Sequence, residues 1–239
     1  VITKGSAPKG QRHMVFINPE GSPATAAIQL LQAALSRNLR TIVYCQSRRM
    51  TELISLWAGS KAGKYASRIS AYRAGFLPEE RREIEARLEN GELLAVVTTS
   101  ALELGIDIGN LDLCILVGYP GSIMSFQQRG GRVGRHGNES AVLFVAQEDA
   151  LDQHFIKHPH DFFSRPPEDA VLNPANPVIV RRHLCCAAAE LPLKAAETWP
   201  CEPEIKKEVD FLQSRGELLR SADGHTYYSA RKRPQRDVD

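Results

Sequence analysis

The sequence predicts a doubly wound α/β domain with a parallel sheet, followed by a small winged-helix-like α+β module. Short continuous apolar runs alternate with helically patterned segments from residue 14 to residue 150. Strands that are buried on both faces read as such runs, and the intervening helices cover the two faces of a parallel sheet. Beyond residue 150 the pattern changes to two helical segments and a hairpin, the order of elements in a winged-helix module.

Six apolar runs are predicted to be strands, and four segments between them are predicted to be helices. The strands are Met14–Ile17, Thr41–Cys45, Ile69–Tyr72, Leu93–Val97, Leu113–Val117 and Ala141–Val145. The helices are Pro23–Leu35, Met50–Trp57, Pro78–Glu89 and Ile123–Gly130. Ser22 is the candidate N-terminal cap of the first helix, because a serine hydroxyl there can accept from a free backbone amide.

The second module is predicted from helical spacing in Val178–Glu190 and Glu204–Gln213. Two short strands follow in Gly216–Ser229 around Asp223-Gly224, which is a strong hairpin turn signal. The predicted boundaries are a linker at 1–13, the α/β domain at 14–150, a connector at 151–177, the winged-helix-like module at 178–230 and a mobile basic tail at 231–239.

The composition is that of an ordinary globular protein, with 43% apolar and 24% charged residues among 239. The net charge of +2 creates no global attraction to nucleic acid, although a local basic stripe is compatible with it. Five irregularly spaced cysteines favour reduced thiols in a cytoplasmic protein. No apolar run has the length of a membrane span, no signal peptide opens the chain, and the start at Val1 suggests a piece of a longer protein.

The segment from Gln128 to Arg135 carries the clearest chemical signal. Two of its three arginines, Arg132 and Arg135, would share one face at helical spacing, with Gly131 and Gly134 beside them. Two guanidinium groups aimed at one spot match the oxygens of a phosphate, and glycines leave room for close approach. The alternative is a solvated helix face, which is the usual reading of a charge pair.

The segment from Val96 to Asp107 places hydroxyl residues at the end of a predicted strand. Thr99 and Ser100 can donate to a phosphate at the start of a short helix, Gly105 allows a turn, and Asp107 could accept from a ribose hydroxyl. A capped helix start would explain one of the hydroxyl residues but not the whole string.

Two further segments follow predicted strands. In Tyr44–Arg49, the side chains of Ser47 and Arg48 are candidate contacts to nucleic-acid backbone phosphates. Tyr72–Arg82 offers Arg73, Gly75 and Arg82, although its arginines and glutamates could instead form a salt-bridged outer helix face.

In this order and separation, three of these segments resemble motifs IV, V and VI of superfamily 2 helicases, and Tyr72–Arg82 resembles the element between motifs IV and V. The resemblance covers about residues 13 to 148 and implies the second RecA-like motor domain. It implies that Arg132 and Arg135 reach the γ-phosphate of ATP and that Gln128 positions the attacking water or the phosphate. It further implies nucleotide contacts from Gly105, Asp107, Gly131 and Gly134. The implied contacts to the nucleic-acid backbone are Ser47, Arg48, Arg73, Gly75, Thr99 and Ser100.

Half of an ATP site is missing from the sequence. The segment Ala58–Tyr65 has Tyr65 where a phosphate loop needs Ser or Thr, and we interpret it as an ordinary loop; no Asp-Glu dipeptide occurs. ATP and Mg²⁺ would therefore be bound mainly by a preceding motor domain, and the chain alone is predicted to be inactive.

The segments Val171–Pro177 and His183–Leu193 narrow the resemblance to helicases of the Hrq type and their mitomycin-repair, DUF1998-type relatives. This family implies a 3′ to 5′ DNA helicase of DNA repair, cytoplasmic and nucleoid-associated in a bacterium. The implied partners are single-stranded or 3′-tailed DNA and the first RecA-like domain, with no membrane.

Two alternatives stay open: an RNA helicase domain, and a non-catalytic nucleic-acid-binding module. The clusters around His154–His160 and His183–Cys201 do not fit a metal-ligand pattern, and we predict no metal site in them.

Overall fold

The computed structural model describes residues 10–103, 111–134, 137–169, 171–198 and 202–237. The chain folds into two compact units that divide between Glu168 and Asp169.

The first unit is built on a six-stranded, wholly parallel sheet, as predicted. Its strands are β1 (Arg12–Ile17), β2 (Thr41–Cys45), β3 (Ile69–Tyr72), β4 (Ala95–Thr98), β5 (Leu113–Val117) and β6 (Ser140–Val145). They lie in the order β1-β6-β5-β2-β4-β3. Every residue of β2, β4 and β5 is buried, which is why these strands are continuous apolar runs in the sequence.

Helices cover both faces of this sheet. They are α1 (Pro23–Ser36), α2 (Arg48–Lys61), α3 (Pro78–Glu89), α4 (Ile123–Gly130), α5 (Ala150–Lys157) and α6 (Pro159–Ser164). One core layer contains Phe126, Phe144 and Phe162, and the other contains Leu31 and Ile54. Cys45 and Cys114 are free and buried in these layers, and burial raises the pKa of each thiol to about 12, so both behave as small apolar side chains.

Three local predictions were wrong. The loop predicted at 58–65 is helical at its start, because the buried Ala58 continues the apolar face of α2, and Gly63–Arg68 then forms a 3₁₀ helix. Ser22 makes no side-chain cap hydrogen bond to α1. Strand β4 starts at Ala95 rather than Leu93, because the Leu93 amide still bonds to the last turn of α3, through the carbonyl of Arg87.

The segment from 150 to 164, predicted as the end of the domain and the start of a connector, forms α5 and α6 of the first unit. Asp149 caps α5 by accepting from the Leu151 amide at 2.9 Å. Phe155 and Phe162 pack with Tyr119 in the core, at ring distances of 4.9 and 6.5 Å from it. The aromatic side chains of this segment cover one face of the sheet. The segment is therefore part of the first unit.

The second unit has the predicted order of two helices and a hairpin, with one short extra strand. It contains α7 (Pro177–Glu190), β7 (Leu193–Lys194), α8 (Glu202–Ser214), β8 (Leu218–Arg220) and β9 (Thr226–Ser229). The sheet is antiparallel in the order β7-β9-β8. Gly224 has φ +74° in the predicted hairpin turn. The prediction of a mobile tail was wrong for the described part of the tail, which ends at residue 237. Pro234 is buried there in a 3₁₀ turn that lies against α7.

Within the residues that the structure describes, no helix has the length and apolar character needed to cross a membrane.

Candidate functional site

The predicted site segments of the first unit meet at one edge of its sheet. Ser47 follows β2, Arg73 follows β3 and Thr99 follows β4. These three strands are parallel neighbours with Tyr44, Thr98 and Tyr72 in register, so the segments that follow them emerge side by side. The carboxyl edge of an open parallel sheet is where such folds place their ligands.

The start of α2 presents polar and basic groups to solvent. Ser47 caps the helix by accepting from the Met50 amide at 3.2 Å, and Ser47, Arg48 and Arg49 are all exposed. A helix N-terminus with basic side chains beside it is suited to an anion such as a phosphate. The predicted backbone contacts Ser47 and Arg48 are therefore accessible.

Arg73 is already engaged on the protein surface. Its guanidinium group pairs with the carboxylate of Glu52 on α2 and lies 4.8 Å from the ring centre of Phe76. Both charged side chains are exposed, so the pair is solvent-screened. Gly75 is exposed with open space around its Cα, and Arg82 is exposed on α3.

The end of β4 carries three hydroxyl residues in different environments. Thr98 is fully buried, and its hydroxyl has no hydrogen-bond partner among the described residues. Thr99 is half-buried and Ser100 is exposed, at the start of a 3₁₀ turn spanning Ser100–Leu102, which matches the predicted short helix. The predicted nucleotide contacts Gly105 and Asp107 lie outside the described residues.

Arg132 of the strongest sequence signal does not lie on a helix. Helix α4 carries Gln128, half-buried, but ends at Gly130. Val133 then forms an isolated bridge with Leu111, and Gly134 has φ +69°, a left-handed conformation that a helix cannot contain. The helical prediction was therefore wrong for Arg132, and Arg135 lies outside the described residues.

Gly134 and Gly131 have packing reasons to be glycine besides their predicted role. A Cβ on Gly134 would stand 2.3 Å from the hydroxyl oxygen of Ser140. A Cβ on Gly131 would stand 2.9 Å from the carbonyl oxygen of Gln127. The backbone of this loop therefore lies closer to its neighbours than any side chain would allow.

Glu103, which follows the 3₁₀ turn, joins this turn to α4 and the loop after it. Its carboxylate accepts from the Ser125 hydroxyl and from Nε of Arg129, each at 2.9 Å. Its backbone carbonyl accepts from Nη2 of Arg132 at 2.5 Å. Sequence reasoning missed Glu103, Ser125 and Arg129, because it assigned roles only to groups that could touch a ligand.

Tyr44, a buried residue of β2, contacts both sides of this junction. Its hydroxyl donates to the carbonyl oxygen of Leu102 at 2.8 Å, and the guanidinium carbon of Arg129 lies 5.2 Å from its ring centre. Burial raises the pKa of Tyr44 well above its usual value, so the phenol stays a neutral hydrogen-bond donor.

The loop after β5 is held by a buried carboxylate. Asp152 is 1% exposed and accepts from the backbone amides of Tyr119 at 2.9 Å and Gln147 at 2.7 Å. Burial raises the pKa of Asp152, while the two amide hydrogen bonds partly oppose that rise. Gly118 in this loop has φ +85° and is covered by the side chains of Gln46 and Gln147.

Two histidines of the predicted cluster make side-chain contacts. Nε2 of His154 lies 3.1 Å from a carboxylate oxygen of Asp161, and the rings of His154 and His158 are 4.9 Å apart. No group of His, Cys, Asp or Glu with the arrangement of a metal site occurs in the described portion of the chain.

Comparisons with known proteins agree with this geometry. A family model described as the helicase conserved C-terminal domain matches residues 24–137. A second model, described as the winged helix domain of the ATP-dependent helicase HRQ1, matches residues 172–239. The chain is 39% identical to the ATP-dependent helicase YprA of Bacillus subtilis, over 96% of the chain and 32% of YprA. It is 34% identical to the ATP-dependent helicase HRQ1 of Saccharomyces cerevisiae, over 81% of the chain and 20% of HRQ1.

A solved structure gives the same result. The crystal structure of the DUF1998 helicase MrfA bound to DNA superposes on the chain with a TM-score of 0.83 at 39% identity. The match covers 98% of the chain and 34% of MrfA. The chain thus spans about a third or less of the length of the proteins it matches.

The parallel sheet, the match to the helicase conserved C-terminal domain and the winged-helix unit define the C-terminal helicase region of a superfamily 2 helicase. The chain belongs to the Hrq/MrfA type of these helicases, in which it comprises the helicase C-terminal domain and the winged-helix domain.

Proposed function

We propose that the chain is the second motor domain and winged helix of an ATP-dependent DNA helicase that moves 3′ to 5′ and acts in DNA repair. The observation that carries the assignment of a motor is the junction at Glu103, which joins the turn after β4 to the segment carrying Gln128 and Arg132. A motor needs such a connection, because its grip on a strand must respond to the state of its nucleotide. The polarity and the repair role rest on the resemblance to Hrq-type helicases. The crystal structure of MrfA with DNA and AMPPNP, which matches at 37% identity, supports the choice of DNA and ATP.

In this proposal the chain supplies half of an ATP site. ATP and Mg²⁺ are held mainly by the first RecA-like domain of the same polypeptide, and the Mg²⁺ ion neutralises charge on the phosphates. Arg132 and Arg135 stabilise the charge that develops on the γ-phosphoryl group as water displaces ADP. Such arginines are worth about 10³–10⁵ in rate. Gln128 orients the water, and Gly105, Asp107, Gly131 and Gly134 complete the nucleotide contacts.

The same edge of the sheet grips one DNA strand. Ser47, Arg48, Arg73, Gly75, Thr99 and Ser100 would hold its backbone phosphates without reading sequence. The DNA partner is single-stranded or 3′-tailed, and the protein works in the cytoplasm, on the nucleoid if the source is bacterial. Loss of the γ-phosphate breaks its contacts with the arginines, and the two motor domains separate. The residues that hold the DNA backbone then shift along the strand.

The test is steady-state ATP hydrolysis with and without single-stranded DNA. The chain alone is compared with a polypeptide that also carries the first motor domain. We expect turnover from the longer polypeptide only, stimulated by DNA more than by a matched RNA strand. Stronger stimulation by RNA would identify an RNA helicase instead. A longer polypeptide that binds DNA but hydrolyses no ATP would identify a non-catalytic binding module.

Replacement of Arg135 by Ala in the longer polypeptide tests the arginine assignment. We expect hydrolysis to fall by about 10³-fold or more while ATP binding largely survives, because the side chain acts on the transition state. Arg37→Ala is the matched control, since Arg37 is exposed at the end of α1, before β2, at the opposite edge of the sheet. Near-normal turnover in Arg135→Ala would refute the assignment.

A further inference from the structure

Glu103 lies where the predicted strand grip meets the predicted ATP contacts. It directly follows the 3₁₀ turn that begins at Ser100, and its side chain is only 12% exposed. A carboxylate so little exposed needs charged or hydrogen-bonding partners. Ser125 and Arg129, which both lie on α4, donate to its carboxylate.

The two partners on α4 have the spacing needed to donate to the same carboxylate. Ser125 and Arg129 are four residues apart, so they lie on the same face of the helix, one turn from each other. Each donates to a different oxygen of Glu103 at 2.9 Å. The carboxylate therefore fixes both the rotation and the height of the last turn of α4, which carries Gln128.

The backbone of Glu103 makes a third connection. Its carbonyl oxygen accepts from Arg132, which is 6% exposed. On the other side, the carbonyl of the preceding residue, Leu102, accepts from Tyr44 at the end of β2. A shift of the turn after β4 would thus be passed to Arg132 and to the end of α4 through short, buried hydrogen bonds.

We infer that Glu103 is a positioning residue that makes ATP hydrolysis depend on the bound strand. A phosphate held by Thr99 and Ser100 fixes the turn, the turn fixes Glu103, and Glu103 sets the positions of Gln128 and Arg132. This inference rests on the proposed function, because it assigns the regulation of the same site.

The test is Glu103→Gln in the polypeptide that also carries the first motor domain. Glutamine keeps the size and one carbonyl oxygen but removes the charge that holds Arg129. We expect the ratio of kcat with single-stranded DNA to kcat without it to fall by about tenfold or more, since a misplaced group costs up to roughly 10²-fold in rate. KM for ATP should change by less than about threefold, because the inference assigns Glu103 no contact with the nucleotide.

Ser125→Ala is the milder companion variant. It removes one of the two donors to the Glu103 carboxylate and leaves the ion pair with Arg129 intact. We expect the stimulation ratio to fall in the same direction by a smaller factor. If Glu103→Gln fails to fold, Ser125→Ala and Arg129→Lys decide the question, because lysine keeps the charge but loses the shape of the guanidinium group.

Glu208→Gln is the matched control. Glu208 is in α8 of the second unit, is 11% exposed on its side chain and pairs with Nε of Arg181 at 2.5 Å, so its burial and partner resemble those of Glu103. We expect a lower thermal midpoint with the stimulation ratio unchanged at saturating DNA.

The outcomes separate the two proposals. DNA-stimulated turnover in the wild type, with the same ratio in Glu103→Gln and only a lower thermal midpoint, would show that the pair serves packing and would overturn the inference alone. A wild type without DNA-stimulated turnover would overturn the proposed function and the inference with it.

Discussion

The hydroxyl of Tyr44 donates a 2.8 Å hydrogen bond to the carbonyl of Leu102. Tyr44 lies near the end of β2, and Leu102 lies in the turn after the neighbouring strand β4. The bond therefore ties two of the motif-bearing segments together beneath the surface, where neither residue could touch a ligand. Tyr44 is 1% exposed, so the bond is shielded from competing water.

Replacement of Tyr44 by Phe should lower the free energy of unfolding by about 1–3 kcal/mol, because the buried carbonyl of Leu102 loses its donor while the ring still fills its space. Urea unfolding of the chain measures the change. Tyr228→Phe is the control, since Tyr228 is 46% exposed on β9 and its replacement should change stability by less than about 0.5 kcal/mol. Equal values for the two variants would show that the Tyr44 bond contributes nothing.

Arg73→Ala should weaken binding of single-stranded DNA roughly three- to tenfold, equally for all sequences, because the residue would contact phosphate rather than bases. The slope of log affinity against log salt should fall by about 0.7, the value for one phosphate contact on a single strand. Glu52→Gln should act in the opposite direction, since it releases Arg73 from its ion pair. Fluorescence anisotropy at several salt concentrations measures both variants, and an unchanged slope in Arg73→Ala would exclude the contact.

Gly134→Ala should cost about 2–4 kcal/mol of stability. Left-handed backbone costs an alanine about 1–2 kcal/mol, and the new methyl group would collide with the side chain of Ser140. Gly121→Ala isolates the first contribution, because Gly121 has φ +95° but open space around its Cα. Thermal or urea unfolding compares the two. If Gly121→Ala were as damaging as Gly134→Ala, the approach to Ser140 would carry no cost.

Asp152 should contribute more to the free energy of unfolding at acid pH than at neutral pH, the opposite of the usual behaviour of a carboxyl group. Burial raises its pKa in the folded state above the unfolded value, so on acidification the folded state takes up this proton first. Its contribution to stability therefore rises as pH falls through the raised folded pKa, and it is lost again as pH increases. Asp152→Asn should lack this dependence.

Urea midpoints of the wild type and Asp152→Asn, measured from about pH 4 to pH 7, check this prediction, since model carboxyl groups titrate near pH 4. The stability advantage of the wild type over the variant should be largest at the acid end and shrink toward neutral pH. A difference that stays constant over this range, or that grows with pH, would contradict the assigned direction of the pKa shift.

The sheet and the second unit were predictable because their signals are local. Runs such as Leu113–Val117 are buried on both faces and carry that fact in their composition. Helices α5 and α6 were not predicted, because their role depends on Phe155 and Phe162 meeting Tyr119, which lies far away in sequence. The helical spacing assumed for Arg132 was wrong for a similar reason: the bridge between Val133 and Leu111 is a tertiary contact.

For the candidate site, the sequence indicated only residues that could face a ligand. The order and spacing of Gln, Gly and Arg in the segment that begins at Gln128 indicated a phosphate site, whereas the contacts of Glu103 became visible only when α4 was placed beside the turn after β4. Arg73 shows the converse, since a free basic residue in the sequence is paired with Glu52 in the fold. The ion-pair partner of a charged side chain depends on how helices and strands pack together. Local sequence patterns do not reveal that packing.

The pairing of β1 with β6 has a consequence for how the domain comes to be made. Arg12 lies in register with Ser140, so the first strand of this sheet to be synthesised pairs with the last one. Until β6 has been synthesised, β1 has no neighbour, whereas β2, β3, β4 and β5 can already associate. Contacts so distant in sequence form late and slowly. The apolar edge of a half-made sheet is then exposed to other chains, and this step is where newly made protein is most open to aggregation and to rescue by chaperones.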